Sequence, residues 1–298
     1  MPGLFSGIIG FFQGVPIFFA MSGLLIWNSL GKSKDFWTYA KNRFWRIYPE
    51  LWCAVALGLI AILLLYKEPI QWGMLGVFTV TQSTVLQFWT PDFLRGYGCG
   101  TPNGALWTIC VLIQFYLAAY FLYRWLHGKK MRVWVVTFVG AVAISALSPL
   151  VGGMVPEILY KLYNQTLIPY LWLFILGAMV AENRDAAIPA LKKCWPILLG
   201  VTVLLTIIKI DIDASYSVCR CTTLILGLIG FAYSIPQLNI KIDISYGIYL
   251  YHMVVINAMI ALKFTGNPIW LLIAALLSCA LAFVSERTIG RLSLRKKQ

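Results

Sequence analysis

The sequence contains few charged residues. Lysine, arginine, aspartate and glutamate together make up 12% of its 298 residues, whereas hydrophobic residues make up 60%. A soluble globular protein of this composition would have too little polar surface to cover its hydrophobic residues. The shortage of charge therefore excludes a soluble globular class and predicts an integral membrane protein.

Several common functional motifs are also missing. The chain has no P-loop, no glycine-rich dinucleotide-binding fingerprint and no GxSxG nucleophile motif. Its seven cysteines are odd in number and lie mostly within hydrophobic runs, which is typical of small apolar residues and not of a disulfide framework. Cys219 and Cys221 have one residue between them and no histidine or cysteine nearby, which is poor spacing for zinc. We predict no metal site and no bound cofactor.

The net charge of +13 raises the question of a nucleic-acid partner. No basic block stands apart from the hydrophobic runs, and no nucleic-acid recognition module is visible. Orientation in a bilayer explains the charge better, because cytoplasmic loops of membrane proteins are rich in lysine and arginine. The expected partner is the lipid bilayer, with no nucleic acid.

Hydrophobic runs near the roughly 20 residues that a spanning helix needs recur along the whole chain. We predict an all-α fold class, in which residues 1–298 form a single polytopic membrane helix bundle of about nine spanning helices. No basic region or cleavage site marks a signal peptide before the first run. The predicted spans are 4–30, 47–65, 105–123, 133–154, 168–181, 195–210, 218–234, 244–262 and 269–286.

The segment 72–90 is ambiguous because its centre, TVTQSTVLQ, is polar. If this segment does not cross, 18 of the 24 lysines and arginines fall on one side of the membrane; if it crosses, the split becomes 10 against 14. An excess of positive charge normally marks the cytoplasmic side. We therefore predict that 72–90 is re-entrant or interfacial, that the N-terminus is external, and that the C-terminus is cytoplasmic.

Two arginines directly precede the predicted span at 47–65. Arg43 and Arg46 are three residues apart, so one helical turn separates their side chains. Planar guanidinium groups so placed can clamp a phosphate-bearing ligand, of which coenzyme A is one. The alternative is that both arginines only anchor the helix at the cytoplasmic face.

Polar residues also occur within a later span, in SYGIYLYHMVV. Ser245, Tyr246, Tyr249 and His252 recur at spacings of three and four, which places them on or near one helical face. A polar stripe within a membrane needs partners or a cavity. The alternatives are a hydrogen-bonded packing histidine and an interfacial tyrosine belt. The second histidine, His127, lies in the basic segment HGKK and is interpreted as a solvated loop residue.

A further group of polar residues follows a glycine-rich loop, GYGCGTPNG. The segment after this loop enters the membrane from the predicted outer side and carries Asn103, Trp107, Thr108, Gln114 and Tyr116. A flexible loop followed by an aromatic interface anchor is the alternative interpretation.

Four segments, taken in order, resemble the acyltransferase family 3 membrane proteins, which include bacterial O-antigen and exopolysaccharide O-acetylases. GVPIFFAMSGLLI at 14–26 is similar to the family's SGFLI helix, and FWTYAKNRFWRIYPELW at 36–52 to its RxxRI-x-P segment. NGALWTICVLIQFYL at 103–117 is similar to the family's W-S/T-L and QFY segment, and SYGIYLYH at 245–252 to its SYxIYLxH segment. Glu286, before the basic tail, resembles the family's closing glutamate.

This resemblance implies a spanning bundle of about ten helices in the cytoplasmic (inner) membrane. It implies transfer of an acyl group, with acetyl expected, from cytoplasmic acyl-coenzyme A to a hydroxyl of an envelope polysaccharide, glycolipid or lipid-linked sugar. By resemblance, Arg43 and Arg46 bind the donor, and Pro49 sets the helix start beside them. His252 is the candidate catalytic residue, and the other residues predicted to bind substrate are Ser22, Asn103, Trp107, Tyr116, Ser245 and Tyr249.

The sequence departs from the family pattern at two places. The family's first helix, which carries the histidine thought to act as general base, should precede Gly14, where the sequence has no room for it. The family's glutamate aligns with Leu112, whose uncharged side chain cannot act as a base or support one. We therefore expect a chain that is N-terminally truncated relative to the family, with little or no activity if it is complete as given.

Two other classes of function remain open. A transporter or flippase would also have many spans and polar residues within the membrane, although no internal repeat or matched pair of broken helices is visible. A non-catalytic membrane scaffold is the third possibility, and it predicts that no acyl donor binds.

Overall fold

The structure is a computed structural model that describes residues 13–209, 212, 214–236 and 242–290. Within these residues all regular structure is helical and no strand is present, which confirms the all-α class. The predicted beginning of the first span and the predicted cytoplasmic tail, RTIGRLSLRKKQ, fall wholly or partly outside the described residues.

The α-helices are joined by short loops and by 3₁₀ turns at Asp92–Gly96, Gly104–Leu106 and Ile168–Tyr170. A π-helical turn, Glu286–Gly290, follows the final α-helix. In chain order the described α-helices are α1 (Gly14–Leu30), α2 (Phe36–Leu65), α3 (Trp72–Ser83), α4 (Trp107–Leu126), α5 (Met131–Ala146), α6 (Ser148–Met154), α7 (Glu157–Tyr163), α8 (Leu171–Glu182), α9 (Arg184–Ile208), α10 (Val218–Ser234), α11 (Ser245–Ala261) and α12 (Ile269–Ser285).

Five helical segments are long and apolar enough to cross a membrane, and a sixth is counted if α7 and Ile168–Glu182, bent by 50°, form one span. Helices α1, α10 and α11 are apolar but shorter, at 17 residues each. The predicted count of nine spans is therefore not confirmed. Helix α3 has 12 residues, or about 18 Å of helix, which is shorter than the roughly 30 Å hydrocarbon core. Helix α3 alone is therefore too short to cross the membrane.

The predicted helix start beside Pro49 is wrong. Helix α2 begins at Phe36 and not near residue 47, so Pro49 lies inside the helix and does not set its start. Helix α9 begins at Arg184, before the predicted span at 195–210, and has two prolines in its interior. Hydropathy marks only the apolar part of a helix, whereas polar turns can continue it beyond the hydrocarbon core. Interior proline is tolerated in membrane helices because neighbouring groups satisfy the freed backbone carbonyl.

The chain divides into two compact units, one comprising residues 1–36 and 111–238 and the other 37–110 and 239–298. In the first unit α1 packs against α8 and α9 packs against α10. The α1–α8 contact depends on two glycines, because a Cβ at Gly23 would overlap the carbonyl of Phe174 and one at Gly177 would overlap that of Ala20. Small residues allow this close backbone approach between membrane helices.

In the second unit α11 packs against α12. Near the end of α2, Ile62 packs with four buried residues from α3 and the loop that follows it: Leu75, Phe78, Leu94 and Tyr97. This apolar cluster and the α11–α12 pair belong to the same unit as Arg43, Arg46 and His252.

Candidate functional site

The loop before α4 is fixed to α11 by an asparagine. The Asn257 side chain donates to the carbonyl oxygens of Thr101 and Pro102, at 3.1 and 2.9 Å, and accepts from the Cys99 backbone N–H at 2.7 Å. Gly98 has φ of +58°, and a Cβ there would overlap the Asn257 side chain. The glycine-rich segment, predicted as a flexible loop in one interpretation, is therefore attached to α11 by hydrogen bonds.

A second asparagine, Asn103, joins the end of this loop to the middle of α11. Its Nδ2 donates to the Leu250 carbonyl oxygen at 2.9 Å, and the residue is buried. Its own Oδ1 is also buried and has no hydrogen-bond partner among the described residues. An orphaned buried acceptor is costly, so this oxygen is suited to a donor group on a bound ligand.

Tyr249, on α11, contacts the first turn of α4. Its hydroxyl donates to the Ala105 carbonyl oxygen and is hydrogen-bonded to Thr108 Oγ1. Trp107, half-buried, begins α4 between these two contacts. The structure therefore brings Tyr249 to the segment that contains Asn103 and Trp107, although 141 positions separate Tyr249 from its partner Thr108 in that segment.

His252 lies one helical turn from Tyr249, with ring centroids 6.0 Å apart. Its Nδ1 lies 2.8 Å from the Tyr249 carbonyl oxygen and 3.2 Å from that of Ile248. Carbonyl oxygens only accept hydrogen bonds, so Nδ1 carries the proton in the neutral ring and Nε2 carries the lone pair. The half-buried imidazole can therefore accept a proton at Nε2.

The predicted polar stripe on α11 divides into separate interactions. Ser245 is exposed, and its Oγ donates to Asp243 Oδ1 at 2.6 Å at the helix start. It lies seven residues from His252, or about 10 Å along the helix axis, so it is not grouped with Tyr249 and His252. Tyr246 donates to the Ile47 carbonyl oxygen at 3.2 Å and links α11 to α2.

The arginine pair lies on α2. Arg43 is half-buried, with its guanidinium carbon 5.5 Å from the centre of the Tyr39 ring. Arg46 is exposed and interacts electrostatically with Glu286, just beyond α12. One helical turn separates the two arginines, as predicted from their spacing, and the helical structure continues through both.

Glu50, for which the sequence predicts no role, lies one turn after Arg46 on the same helix. The residue is only 9% exposed, and its carboxyl is hydrogen-bonded to Ser285 at the end of α12. Its other oxygen, Oε1, has no hydrogen-bond partner in the part of the chain that the structure describes. A glutamate next to a long apolar run was the available sequence signal, since carboxyl groups within membrane segments are rare and commonly functional.

Two other predicted substrate-binding residues belong to the other compact unit. Ser22 donates to the Phe18 carbonyl oxygen of its own helix at 2.7 Å, and Tyr116 is half-buried on α4. Leu112, which aligns with the family's glutamate, is buried.

His127, predicted as a solvated loop residue, lies in the turn after α4 with its side chain 57% exposed, and it also makes contacts with neighbouring groups. Its Nδ1 lies 3.0 Å from Glu182 Oε2, and its ring stacks on Tyr123 at 4.5 Å. The Glu182 carboxyl also accepts from Gly128 N–H and from Trp27 Nε1, each at 2.7 Å. A carboxylate that accepts several donors joins the segments that carry them, here the loop after α4, helix α1 and helix α8.

No group of three or more histidine, cysteine, aspartate or glutamate side chains that could hold a metal ion is found among residues 13–209, 212, 214–236 and 242–290. The polar atoms at the candidate site belong to amide, hydroxyl, imidazole, guanidinium and carboxyl groups. This set of groups is suited to proton transfer and anion binding.

Comparison with known proteins gives a family match over almost the whole chain. A family model described as the acyltransferase domain of acyltransferase family 3 matches residues 2–287. No solved structure matches the chain.

Two curated proteins are similar in sequence. Nodulation protein 10 of Rhizobium leguminosarum bv. viciae is 30% identical over 280 residues, which cover 85% of this chain and 74% of that protein. Peptidoglycan O-acetyltransferase OatA of Listeria monocytogenes is 25% identical over 330 aligned positions, which cover 98% of this chain. The alignment spans about half of that second protein, 51% of its length.

Proposed function

Because the chain belongs to acyltransferase family 3, we propose that it is a multi-pass membrane O-acyltransferase that uses acyl-coenzyme A, with acetyl as the expected acyl group. The proposed acceptor is a hydroxyl of an envelope polysaccharide, glycolipid or lipid-linked sugar. The name of one similar protein, a peptidoglycan O-acetyltransferase, supports an O-acetyl product and a glycan acceptor. The proposed location is the cytoplasmic membrane, with the C-terminus in the cytoplasm.

Arg43 and Arg46 form the proposed donor site. Their guanidinium groups are one turn apart on a continuous helix, and guanidinium forks bind two phosphate oxygens at once. Coenzyme A carries phosphate groups, so the pair can hold the donor by charge-assisted hydrogen bonds.

The observation that carries the proposed chemistry is the position of His252 Nδ1, which lies within hydrogen-bond distance of two backbone carbonyl oxygens. With Nδ1 as the donor, Nε2 carries the lone pair. In the proposed step, Nε2 takes the proton of the acceptor hydroxyl. The hydroxyl oxygen attacks the thioester carbonyl, a C–O bond forms and the C–S bond breaks. Coenzyme A leaves as a thiolate, and the proton held on Nε2 passes to this sulfur, which restores the neutral imidazole. In the same proposal Asn103 accepts a hydrogen bond from the acceptor hydroxyl, which is supported by the lack of a partner for its Oδ1 in the described residues.

The test is transfer of labelled acetyl from acetyl-coenzyme A to glycan by the purified chain in liposomes. Positioned proton transfer contributes on the order of 100-fold or more, so His252→Gln should lower kcat by about that factor. His127→Gln, which changes the other histidine, is the matched control and should retain activity within a few fold. Equal activity of His252→Gln and wild type would refute the role of His252, and glycan uptake without a donor would favour a transporter.

A further inference from the structure

A buried acidic residue on the arginine-bearing helix has no role in the chemistry above. Glu50 is 9% exposed and lies four residues after Arg46 and seven after Arg43. Spacings of four and seven place all three side chains on one face of α2. Burying a carboxyl group without full hydrogen bonding is costly, so its retention here requires a physical explanation.

The surroundings of Glu50 come from two other helices of the same unit. The Tyr251 hydroxyl, on α11, donates to Ser285 Oγ at 2.8 Å, and Ser285 is in turn hydrogen-bonded to the Glu50 carboxyl. Both Tyr251 and Ser285 are buried. This chain of hydrogen bonds connects α11, α12 and α2 through one carboxyl group.

The absence of a side chain at Gly247 creates the space that the carboxyl group occupies. A Cβ at Gly247 would lie 2.6 Å from Glu50 Oε1 and 2.8 Å from the Cβ of Ala282 on α12. Three helices therefore meet at this point, and Glu50 is the residue that α2 contributes to these close contacts. A rotation of α2 about its axis would withdraw the carboxyl group from this space and turn both arginines with it.

We propose that Glu50 is a positioning residue that fixes the rotation of α2 through Ser285 and Gly247 and so directs Arg43 and Arg46 toward the acyl donor. This inference rests on the proposed donor role of the two arginines. Glu50 is not assigned contact with the substrate. Its proposed effect is on the orientation of the Arg43 and Arg46 side chains, whose positive charges remain the groups that bind the donor.

The experiment measures acetyl-coenzyme A binding and acetyl-transfer kinetics for the purified full chain in lipid nanodiscs. Glu50→Ala should raise both Kd and KM for the donor by about tenfold, with a much smaller change in kcat. Glu50→Gln should restore the donor affinity to within about threefold of wild type, because an amide oxygen can accept the same Ser285 hydrogen bond in the same volume.

Two further variants keep the test decisive if Glu50→Ala does not fold. Ser285→Ala removes only the hydroxyl group, and Gly247→Ala fills the space beside Oε1; both should weaken donor binding. Ile62→Ala is the matched control, because Ile62 lies on α2 in the separate apolar cluster and is 1% exposed. It should lower thermal stability and leave donor affinity unchanged.

The possible results separate the two proposals. If Arg43→Lys and Arg46→Lys weaken donor binding but Glu50→Ala and Ser285→Ala do not, the positioning role is wrong and the donor site stands. If Glu50→Gln is as impaired as Glu50→Ala, the carboxyl charge is required and positioning by hydrogen bonding is refuted. If neither arginine variant affects donor binding, the donor site fails and the positioning role fails with it.

Discussion

Replacement of Asn257 by alanine should release the 99–104 loop from α11. The side chain makes three hydrogen bonds to this loop, with Cys99 N–H and with the carbonyl oxygens of Thr101 and Pro102. At about 1 kcal/mol each, their loss should lower the free energy of unfolding by about 3 kcal/mol. Asn257 is fully buried, so water cannot replace these bonds without opening the loop.

The first assay is thermal unfolding of the purified protein in detergent. Asn257→Asp keeps the oxygen that accepts from Cys99 but places a second carboxyl oxygen against the Thr101 and Pro102 carbonyl oxygens. Because this group is buried, the stability of Asn257→Asp should fall at least as far as that of Asn257→Ala. Asn267, which only accepts a bond from the nearby Ile269 N–H in an exposed loop, supplies the control. Asn267→Ala should cost about 1 kcal/mol or less.

A second assay connects the loop to the candidate site. Because the loop continues into Asn103 and the Tyr249 contacts, Asn257→Ala should raise KM for the glycan acceptor more than KM for acetyl-coenzyme A. Unchanged thermal stability together with unchanged acceptor KM would refute the reasoning.

Two other predictions follow from the donor site and from a buried tyrosine. Arg43→Lys and Arg46→Lys keep the charge but remove the guanidinium fork, a change of roughly 1.5 to 3 kcal/mol, so acetyl-coenzyme A affinity should fall about ten- to a hundredfold in each. Unchanged affinity measured by calorimetry would mean that the arginines only orient the helix. Burial raises the pKa of Tyr97 from its ordinary value of 10.0 to about 12, so the folded protein holds the phenol proton more tightly than the unfolded chain does. The stability that comes from this difference is therefore present below pH 10 and is lost as the pH rises toward 12. Tyr97→Phe removes a hydroxyl that has no partner in the described residues, and chemical denaturation at pH 9 and pH 11 should show less loss of stability for this variant than for wild type.

Composition and local pattern determined the class of this protein. Long apolar runs with little charge require helices in a membrane, because each backbone polar group must be satisfied without water. Short motifs in the correct order identified the family, and these depend on residue identity alone. The helical spacing of Tyr249 and His252, and of Arg43 and Arg46, also followed directly from a period of 3.6 residues.

The helix ends did not follow from the sequence in the same way. Phe36 begins α2 eleven residues before the predicted start, because hydropathy reports contact with lipid and not backbone hydrogen bonding. A proline is favoured in the first turn of a helix because its missing N–H has no partner there, yet Pro49 lies inside a helix of 30 residues.

Contacts between distant segments were decided only by the tertiary structure. Asn257 and Gly98 are 159 positions apart, and no local pattern indicates that the asparagine fills the space left by the glycine. Glu50 is recognisable as unusual from its apolar neighbours, but its partner Ser285 lies on another helix near the end of the chain. Pairing of this kind depends on which helices pack together, and many arrangements of equally apolar helices satisfy the same hydropathy pattern.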